Sequence, residues 1–548
     1  MIKIKLDLEK IILVIFITIF LFIGLGSIFN HKIKHDFPNG YFASDAFQHQ
    51  VRAEAIKDAG NFRYEANYIS KGFEKVVGRY PPFIYHLSVI LSYSSGIEVY
   101  DSIYFVALFF AVIAALLMYL IINDFNKSIA LISLPLTFLI FTNPIVAGFT
   151  WGHWPSLLSQ MFLLAFFWGI MRIELAKSYL LISAFFAAII MTHTSEAVFA
   201  VMFLGIFFVT KFLTKNLKIS EIKTIIIAFV ISFILSLYYL IIFKDTLAKG
   251  ETYKFIIEPI WQGNPGFYIM DFGVLSIFIV IGIIFSLLKL KEVHASLILA
   301  LVMLISGFLN YIGFGLRSFQ IRFFWPIYLS VFFGFGIYIL LKFVIKKWNQ
   351  TYSLAIFVIL TIILTGVIKI PKIPQYNKLT SQGIMDSYHW SALTWLSKNT
   401  AINSKIYFFY GDIYSQDALL RNSKRVHYQI DPDDFVKAIQ EKKIKRSYIS
   451  ELPGDSGGSL AGRISWFKLK DISADKPHEY FFGPQDICKF DYLVFDKPKN
   501  DNDIKVYNMI ILSEMLKKNF IENVFENKVL IILKNNKAGA DCIEERNF

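Results

Sequence analysis

Long apolar segments recur along the first two thirds of the chain and constrain its fold more than any other feature. A helix that crosses a lipid bilayer needs about twenty mostly apolar residues, and on that rule we expect about eleven such helices. The first apolar run is followed by no small-residue cleavage site, so we expect a retained helix there, not a signal peptide. The expected spans cover residues 10–30, 101–122, 128–147, 156–174, 178–193, 195–213, 222–243, 273–290, 294–314, 322–342 and 352–370.

The composition agrees with a membrane protein. Hydrophobic residues make up 55% of the 548 residues and charged residues only 18%, whereas a soluble globular chain carries about a quarter charged residues. The formal net charge is +13, which raises the alternative of nucleic-acid binding. Many of the lysines, however, lie just beyond apolar runs, where basic residues orient a membrane protein. We therefore expect a multi-pass protein of the cell membrane with no nucleic-acid partner.

The positions of Lys and Arg predict the orientation of the chain. The short loops at 148–155 and 192–196 contain neither residue, which is typical of the side away from the cytoplasm. A cytoplasmic N-terminus and an odd number of spans then place the C-terminal part outside. On this interpretation the cytoplasmic loops hold Lys127, Arg172, Lys177, Lys211, Lys215, Lys218, Lys223, Lys289, Lys291, Lys342, Lys346 and Lys347.

The chain is expected to consist of two domains. Residues 1–372 form a helical membrane domain, in which 31–100 is the first extracytoplasmic loop, and residues 373–548 form an extracytoplasmic domain. The second domain begins with an amphipathic helix over residues 386–398, with Asp386 at its start, and continues with short β-like runs, which predicts an α/β fold. Its two cysteines, Cys488 and Cys542, would pair only in an oxidising exterior, and their spacing does not decide whether they do. The predicted fold class is thus an α-helical polytopic membrane protein with a C-terminal α/β extracytoplasmic domain.

A polar helix in the first outer loop, predicted to begin near Ser44 and to end at Gly60, is the strongest candidate for chemistry. Asp45, His49 and Arg52 are spaced i, i+4 and i+7, so they share one helix face. A carboxylate, an imidazole and a guanidinium together suit work on a phosphate-linked sugar. Asp45 with Gln48 also fits a plain capping box, which requires no function.

Other ionisable residues are expected at the outer ends of the membrane helices. Such residues are costly beside hydrocarbon and often line functional cavities. Each also has a structural alternative: a position in the interfacial aromatic belt for His153, a favourable helix dipole for Glu196 and snorkelling for the arginines. The candidates are His153, His193, Glu196, Arg317 and Arg322.

The order of several short motifs resembles the GT-C superfamily of membrane glycosyltransferases, which includes the archaeal oligosaccharyltransferase catalytic subunits and the protein O-mannosyltransferases. Asp45-x-x-x-His49 lies in the first outer loop and Tyr80-Pro81-Pro82 follows it. Late in the membrane domain comes Arg322-Phe323. The C-terminal domain opens with Trp395-Leu396-Ser397-Lys398-Asn399-Thr400 and ends near Phe520-Ile521-Glu522-Asn523-Val524-Phe525-Glu526-Asn527.

The resemblance implies transfer of a sugar from a polyprenyl-phosphate carrier to a lipid, glycan or protein acceptor on the outer face. Asp45 would be the catalytic base, and the donor phosphate would be held by His49, Arg52, Arg317 or Arg322. His153, His193 and Glu196 would line the cavity. A divalent cation, Mg²⁺ or Mn²⁺, would be the cofactor if one is needed, with Asp45 as its ligand. The partners would be the lipid-linked donor, membrane lipids and the acceptor.

The chain also departs from the superfamily's patterns. Residues 148–156 contain no carboxylate, where the oligosaccharyltransferases carry acidic metal ligands, and Phe408-Phe409-Tyr410-Gly411-Asp412 stands in place of their peptide-reading Trp-Trp-Asp-Tyr-Gly. Sequon-specific protein glycosylation is therefore not implied. Two alternatives remain: a non-catalytic membrane protein on the same scaffold that binds a lipid-linked glycan, and a transporter, although a transporter predicts charged or broken helices near mid-membrane.

Overall fold

The computed structural model separates into two units. The first consists of Met1–Ile33, Arg79–Ile97 and Asp101–Ile373, and the second of Lys34–Gly78, Glu98–Tyr100 and Pro374–Phe548. Part of the first outer loop, Lys34–Gly78 and Glu98–Tyr100, thus shares a unit with the C-terminal part of the chain. The structure describes residues 8–41, 44–60, 80–142, 145–248, 266–288, 294–312, 318–345, 347–367, 385–409, 417–429, 490–497, 512–513 and 515–538.

The first unit is helical throughout its described residues. Short 3-10 segments at Leu134–Phe141, Met270–Leu275 and Leu309–Ile312 interrupt its α-helices. The α-helices are α1 (Leu8–Phe29), α3 (Phe83–Ser95), α4 (Val99–Asn123), α5 (Lys127–Ser133), α6 (Ala147–Thr150), α7 (Trp154–Ile170), α8 (Ser178–Ile190), α9 (Thr194–Leu213), α10 (Ile219–Ala248), α11 (Gly266–Ile269), α12 (Ser276–Leu288), α13 (Ala295–Ser306), α14 (Ser318–Arg322), α15 (Trp325–Tyr328), α16 (Ser330–Val344) and α17 (Gln350–Val367).

Every expected span coincides with an apolar helical segment, but only some of these segments are long enough to cross a bilayer. Five of the described helices meet that length: Leu8–Phe29, Val99–Asn123, Thr194–Leu213, Ile219–Ile241 and Trp325–Val344. The other expected spans are shorter apolar helices, and the expected number of eleven stays a prediction. One cause of the short helices is visible at Gly273, whose φ of 47° breaks the helical path before α12. The chain is a polytopic helical membrane protein.

Two helices of the first unit pack with their backbones almost in contact. A Cβ atom on Gly282 of α12 would lie 2.0 Å from the Phe332 carbonyl oxygen, and one on Gly336 of α16 would lie 2.1 Å from the Phe278 carbonyl oxygen. Small residues permit this close approach, which is how membrane helices gain van der Waals contact.

The second unit contains helix α2 (Ser44–Ala59), helix α18 (Ser387–Asn399), the short helix α19 (Asp417–Leu420) and a five-stranded sheet. Its strand order is β2-β1-β3-β5-β4, where β1 runs parallel to β2 and β3, and β5 runs antiparallel to β3 and β4. The predicted small sheet and leading amphipathic helix are therefore both present. The strands are β1 (Lys405–Phe408), β2 (Val426–Gln429), β3 (Tyr492–Asp496), β4 (Ile521–Glu526) and β5 (Leu530–Asn535).

Helix α18 begins where the sequence places a capping residue. The Asp386 side chain accepts hydrogen bonds of 2.9 Å from the backbone N–H groups of both Tyr388 and His389. These bonds satisfy donors that have no partner within the helix. The apolar stripe of the helix, Ala392, Leu393 and Leu396, is buried, so amphipathicity and cap together fix the element against the sheet.

Candidate functional site

Helix α2 carries the three residues that the sequence groups on one face. Asp45 lies in its first turn and is half-buried, whereas His49 and Arg52 are 5% and 4% exposed. The helix is followed by Gly60, whose φ is 63°, the left-handed conformation that glycine adopts at helix ends. The spacing and the continuous helix together place Asp45, His49 and Arg52 along one side.

The loop that leads into α2 is tied to other parts of the second unit by aromatic side chains. The Tyr41 hydroxyl donates a 3.0 Å hydrogen bond to the Tyr100 carbonyl, and the Tyr100 hydroxyl donates one of 2.7 Å to the His35 carbonyl. The Tyr100 ring meets the Trp390 ring edge-on at 5.7 Å between centroids. The candidate helix is therefore anchored to the C-terminal part of the chain through α18.

A separate group of buried polar side chains lies in the first unit, around Glu196. The Glu196 carboxylate is 1% exposed, accepts a 2.7 Å hydrogen bond from the Ser156 hydroxyl and is hydrogen-bonded to Nδ1 of His193. His193 is the N-cap residue of α9 and Glu196 lies in its first turn, where the helix dipole favours a negative charge. The loop between α8 and α9 is thereby joined to the start of α7.

This hydrogen-bonded chain continues to His153. The Gln160 amide donates to the Ser156 hydroxyl at 3.2 Å and to the Gln320 carbonyl at 3.0 Å. The Gln320 side-chain nitrogen lies 3.1 Å from Nδ1 of His153, and the His153 ring stacks on Phe323 at 5.2 Å between centroids. The structure thus links His153, His193 and Glu196 through side chains that the sequence analysis did not select. Polar residues four apart on an otherwise apolar helix, as Ser156 and Gln160 are, were the available signal.

Three polar atoms beside this chain are buried without a hydrogen-bond partner among the described residues. They are Oε1 of Gln160, Oε1 of Gln320 and the hydroxyl of Tyr328. A buried polar group without a partner costs about 1–3 kcal/mol, so proteins retain such groups mostly where water or a ligand completes them.

Arg322 is fully enclosed in the first unit. Its Nε donates to the Gly307 carbonyl at 2.7 Å and its Nη2 to the Asn310 side chain at 2.6 Å. The guanidinium carbon lies 5.3 Å from the Tyr268 ring centroid and 5.9 Å from that of Trp325, within the range of cation–π attraction. The other candidate arginine, Arg317, lies outside the described residues, as do Cys488 and Cys542.

A buried histidine joins helix α18 to strand β3 in the second unit. Nδ1 of His389 lies 2.7 Å from Oδ2 of Asp386, and its Nε2 lies 3.2 Å from Oδ1 of Asp496. Burial lowers the pKa of His389, but the two carboxylates outweigh burial and raise the pKa to about 9. Burial raises the pKa of Asp386, yet its hydrogen bonds and the histidine charge bring that pKa below the ordinary value. The sequence did not predict this cluster.

The residues described by the structure offer no obvious metal centre. No three His, Cys, Asp or Glu side chains among them come close enough together to hold an ion. Asp45 alone does not make a fitting set of ligands, since divalent cations take several oxygen ligands.

Known proteins match the chain in structure but not in sequence. No family profile matches it, and no curated protein is similar in sequence. The oligosaccharyltransferase AglB from Archaeoglobus fulgidus, in complex with an inhibitory peptide and a dolichol-phosphate, is 12% identical with a TM-score of 0.55 over 92% of this chain and 71% of AglB.

A second solved structure matches over nearly its whole length. ArnT from Cupriavidus metallidurans in the apo state is 10% identical, with a TM-score of 0.56 over 96% of this chain and 98% of ArnT. The same protein bound to undecaprenyl phosphate matches with a TM-score of 0.51 over 95% and 97%. Both proteins are GT-C membrane glycosyltransferases. The resemblance seen in the motifs is therefore confirmed, and the chain has the GT-C fold.

Proposed function

We propose that the chain is an inverting glycosyltransferase that moves a sugar from a polyprenyl-phosphate carrier to an acceptor outside the cytoplasm. The observation that carries the proposal is the fold shared with two glycosyltransferases whose structures contain polyprenyl phosphates, dolichol-phosphate in AglB and undecaprenyl phosphate in ArnT. A fold alone does not fix an activity, so the chemistry must come from side chains of this chain.

Asp45 is our proposed base. A hydroxyl group is a weak nucleophile, and a carboxylate within hydrogen-bond reach can remove its proton during attack. The acceptor oxygen would form a bond to the anomeric carbon while the bond from that carbon to the phosphate oxygen breaks. The bonding electrons would leave with the polyprenyl phosphate. One displacement with one base and no enzyme nucleophile inverts the anomeric centre.

His49 and Arg52 are our proposed partners for the leaving phosphate. They share the helix face of Asp45, and charged hydrogen bonds to phosphate oxygens stabilise the negative charge that grows as the bond breaks. Arg317 and Arg322 are proposed to add positive charge to the donor site. Since Arg322 already donates to Gly307 and Asn310, we expect it to act through its charge more than through a two-point contact.

The polar chain from His153 to Glu196 is proposed to line the cavity. Side chains of this kind can hold hydroxyl groups or water next to a donor, and the unpartnered oxygens of Gln160 and Gln320 are consistent with that. We propose the orientation expected from the basic residues, with a cytoplasmic N-terminus and the C-terminal domain outside.

A reconstitution assay separates the proposal from its two alternatives. The full chain is placed in liposomes with undecaprenyl-phosphate-linked mannose, glucose or N-acetylglucosamine, each carrying a radiolabelled sugar, and with an extract of membrane lipids and glycans as acceptors. An enzyme converts the labelled donor into a product and releases undecaprenyl phosphate. Donor that is bound but never consumed would support the non-catalytic alternative. Exchange of intact label across the bilayer, without a product, would support a transporter.

A further inference from the structure

A lysine of the C-terminal region, Lys424, contacts helix α2 on the side opposite Asp45. Nζ of Lys424 lies 2.5 Å from Oδ2 of Asp58 and 3.4 Å from Oε1 of Glu54. Lys424 follows the short 3-10 helix Arg421–Ser423 and has a φ of 53°, a left-handed conformation that non-glycine residues adopt uncommonly. The turn thus directs one ammonium group towards two carboxylates.

The two carboxylates lie on the back of the helix relative to Asp45. Glu54 and Asp58 are four residues apart and therefore share a face. Glu54 follows Asp45 by nine residues, which at about 100° per residue is about two and a half turns. The lysine consequently contacts the face of α2 that points away from Asp45.

Lys424 is part of a larger contact between α2 and the C-terminal region. Helix α2 packs against α19, which immediately precedes the 3-10 helix. Burial raises the pKa of Glu54, and the charge of Lys424 counteracts that rise. Without the lysine, two acidic groups would remain close together in a partly buried place, where like charges repel.

We propose that Lys424 is a positioning residue, which fixes α2 against the C-terminal region and thereby sets the place of the Asp45 carboxylate. The inference rests on the proposed function of Asp45 as the base. It also gives the C-terminal region a part in the reaction, since 370 residues separate Lys424 from Glu54 along the chain and only the fold brings them together. Displacement of a reacting group by about 1 Å can lower a rate by roughly a hundredfold.

The variant Lys424→Met tests this role because it keeps the length of the side chain and removes the charge. Lys497→Met is its matched control: Lys497 is also ion-paired in the second unit, but with Glu526 of β4, and it donates to the Asn527 carbonyl. Lys424→Arg is the conservative variant, since a guanidinium can still pair with both carboxylates. All three are made in the full chain and studied in lipid nanodiscs.

The first readout is amide hydrogen exchange over residues 46–58, and it needs no substrate. Loss of a charged contact should let α2 open more often, so exchange there should quicken by roughly tenfold or more in Lys424→Met. Lys497→Met should leave it unchanged, and Lys424→Arg should stay near wild type. Unchanged exchange of α2 in Lys424→Met overturns the proposal, whatever the activity.

The second readout is steady-state transfer from undecaprenyl-phosphate-linked sugar. We expect kcat of Lys424→Met to fall by roughly ten- to a hundredfold with the donor KM within about twofold, and Lys424→Arg to restore most of it. Faster exchange with an unchanged kcat overturns the positioning role. A wild-type chain that transfers no sugar overturns the proposed function and the positioning role with it, while the exchange data still decide whether Lys424 holds α2.

Discussion

The hydroxyl of Ser156 donates a hydrogen bond of 2.7 Å to the Glu196 carboxylate, and both side chains are almost completely buried in the membrane unit. Removing the acceptor by Glu196→Ala leaves Ser156 and His193 without this partner. We expect the free energy of unfolding in detergent to fall by about 3 kcal/mol. Glu196→Gln can still accept from Ser156 and should cost about 1 kcal/mol or less.

A matched pair of serines checks that the carboxylate is what matters. Ser156 and Ser159 are both buried on α7, but among the described residues the Ser159 hydroxyl donates to the His193 carbonyl alone, at a longer 3.4 Å. Ser156→Ala should therefore cost about 2 kcal/mol and Ser159→Ala less than about 1 kcal/mol. Equal losses in both variants would contradict a special role for the Glu196 contact.

The His389 cluster predicts a pH-dependent stability of the second unit. The pKa of His389 is about 9 in the folded chain against an ordinary 6.5, so the folded state binds the proton more tightly. The stabilisation is complete below pH 6.5 and is lost as the pH rises through 9. Its upper limit is on the order of 3 kcal/mol. Hydrogen exchange of the full chain measures the opening of α18. This opening should become easier as the pH rises from 6.5 to 9.

His389→Gln provides the control for this pH dependence. Glutamine can still hydrogen-bond to Asp386 but does not titrate, so the variant should be less stable at pH 6.5 and should change little between pH 6.5 and 9. In the wild-type chain, the exchange rates of the α18 amides at pH 6.5 and pH 9 are compared after correction for intrinsic exchange. Equal corrected rates would show that the histidine is not held protonated.

The close approach of α12 and α16 predicts a sharp difference between two glycines. Gly336→Ala would place its new carbon 2.1 Å from a backbone carbonyl oxygen, whereas Gly366→Ala on α17 meets nothing within 4 Å. We expect Gly336→Ala to lower stability by about 2 kcal/mol or more, and Gly366→Ala to be neutral or to stabilise by up to about 1 kcal/mol. Thermal unfolding in detergent measures both, and similar midpoints would refute the packing.

The proposed orientation can be tested by cysteine labelling from one side. Lys215 lies in the turn between α9 and α10, and Lys398 near the end of α18, and both side chains are exposed. In a chain with Cys488 and Cys542 changed to serine, single cysteines at these two positions should react from opposite faces of sealed vesicles with an impermeant reagent. Reaction of both from the same face would overturn the assignment of sides.

Local patterns in the sequence predicted much of the fold. Each apolar run became a helix because membrane-buried backbone must satisfy its own hydrogen bonds. Asp386 was recognisable as the start of a helix, and Gly60 as the end of another, since both depend on neighbours within a few residues. Helix lengths were less predictable. The helix break at Gly273, for example, is a backbone conformation that depends on tertiary packing.

The polar contacts of the sites could not be predicted in the same way. Gln160 and Gln320 meet across 160 residues of sequence, and His389 and Asp496 across 107. Such contacts depend on how helices and strands pack. The periodicity of a single sequence does not indicate which distant residues will meet. The sequence identified His193 and Glu196 as functional candidates because they are ionisable residues at the outer end of a membrane helix, but it did not reveal the serine and the glutamines that connect them to His153.

The rate of sugar transfer by the Asp45→Asn variant is the most direct test of the proposed reaction. Asparagine keeps the shape of the side chain and is a good residue near a helix start, but it cannot act as the base. With undecaprenyl-phosphate-linked sugar and the full chain in liposomes, we expect the transfer rate to fall by roughly two to four orders of magnitude, while the midpoint of thermal unfolding stays within about one degree of wild type. An Asp45→Asn chain that transfers sugar at the wild-type rate would contradict the central claim.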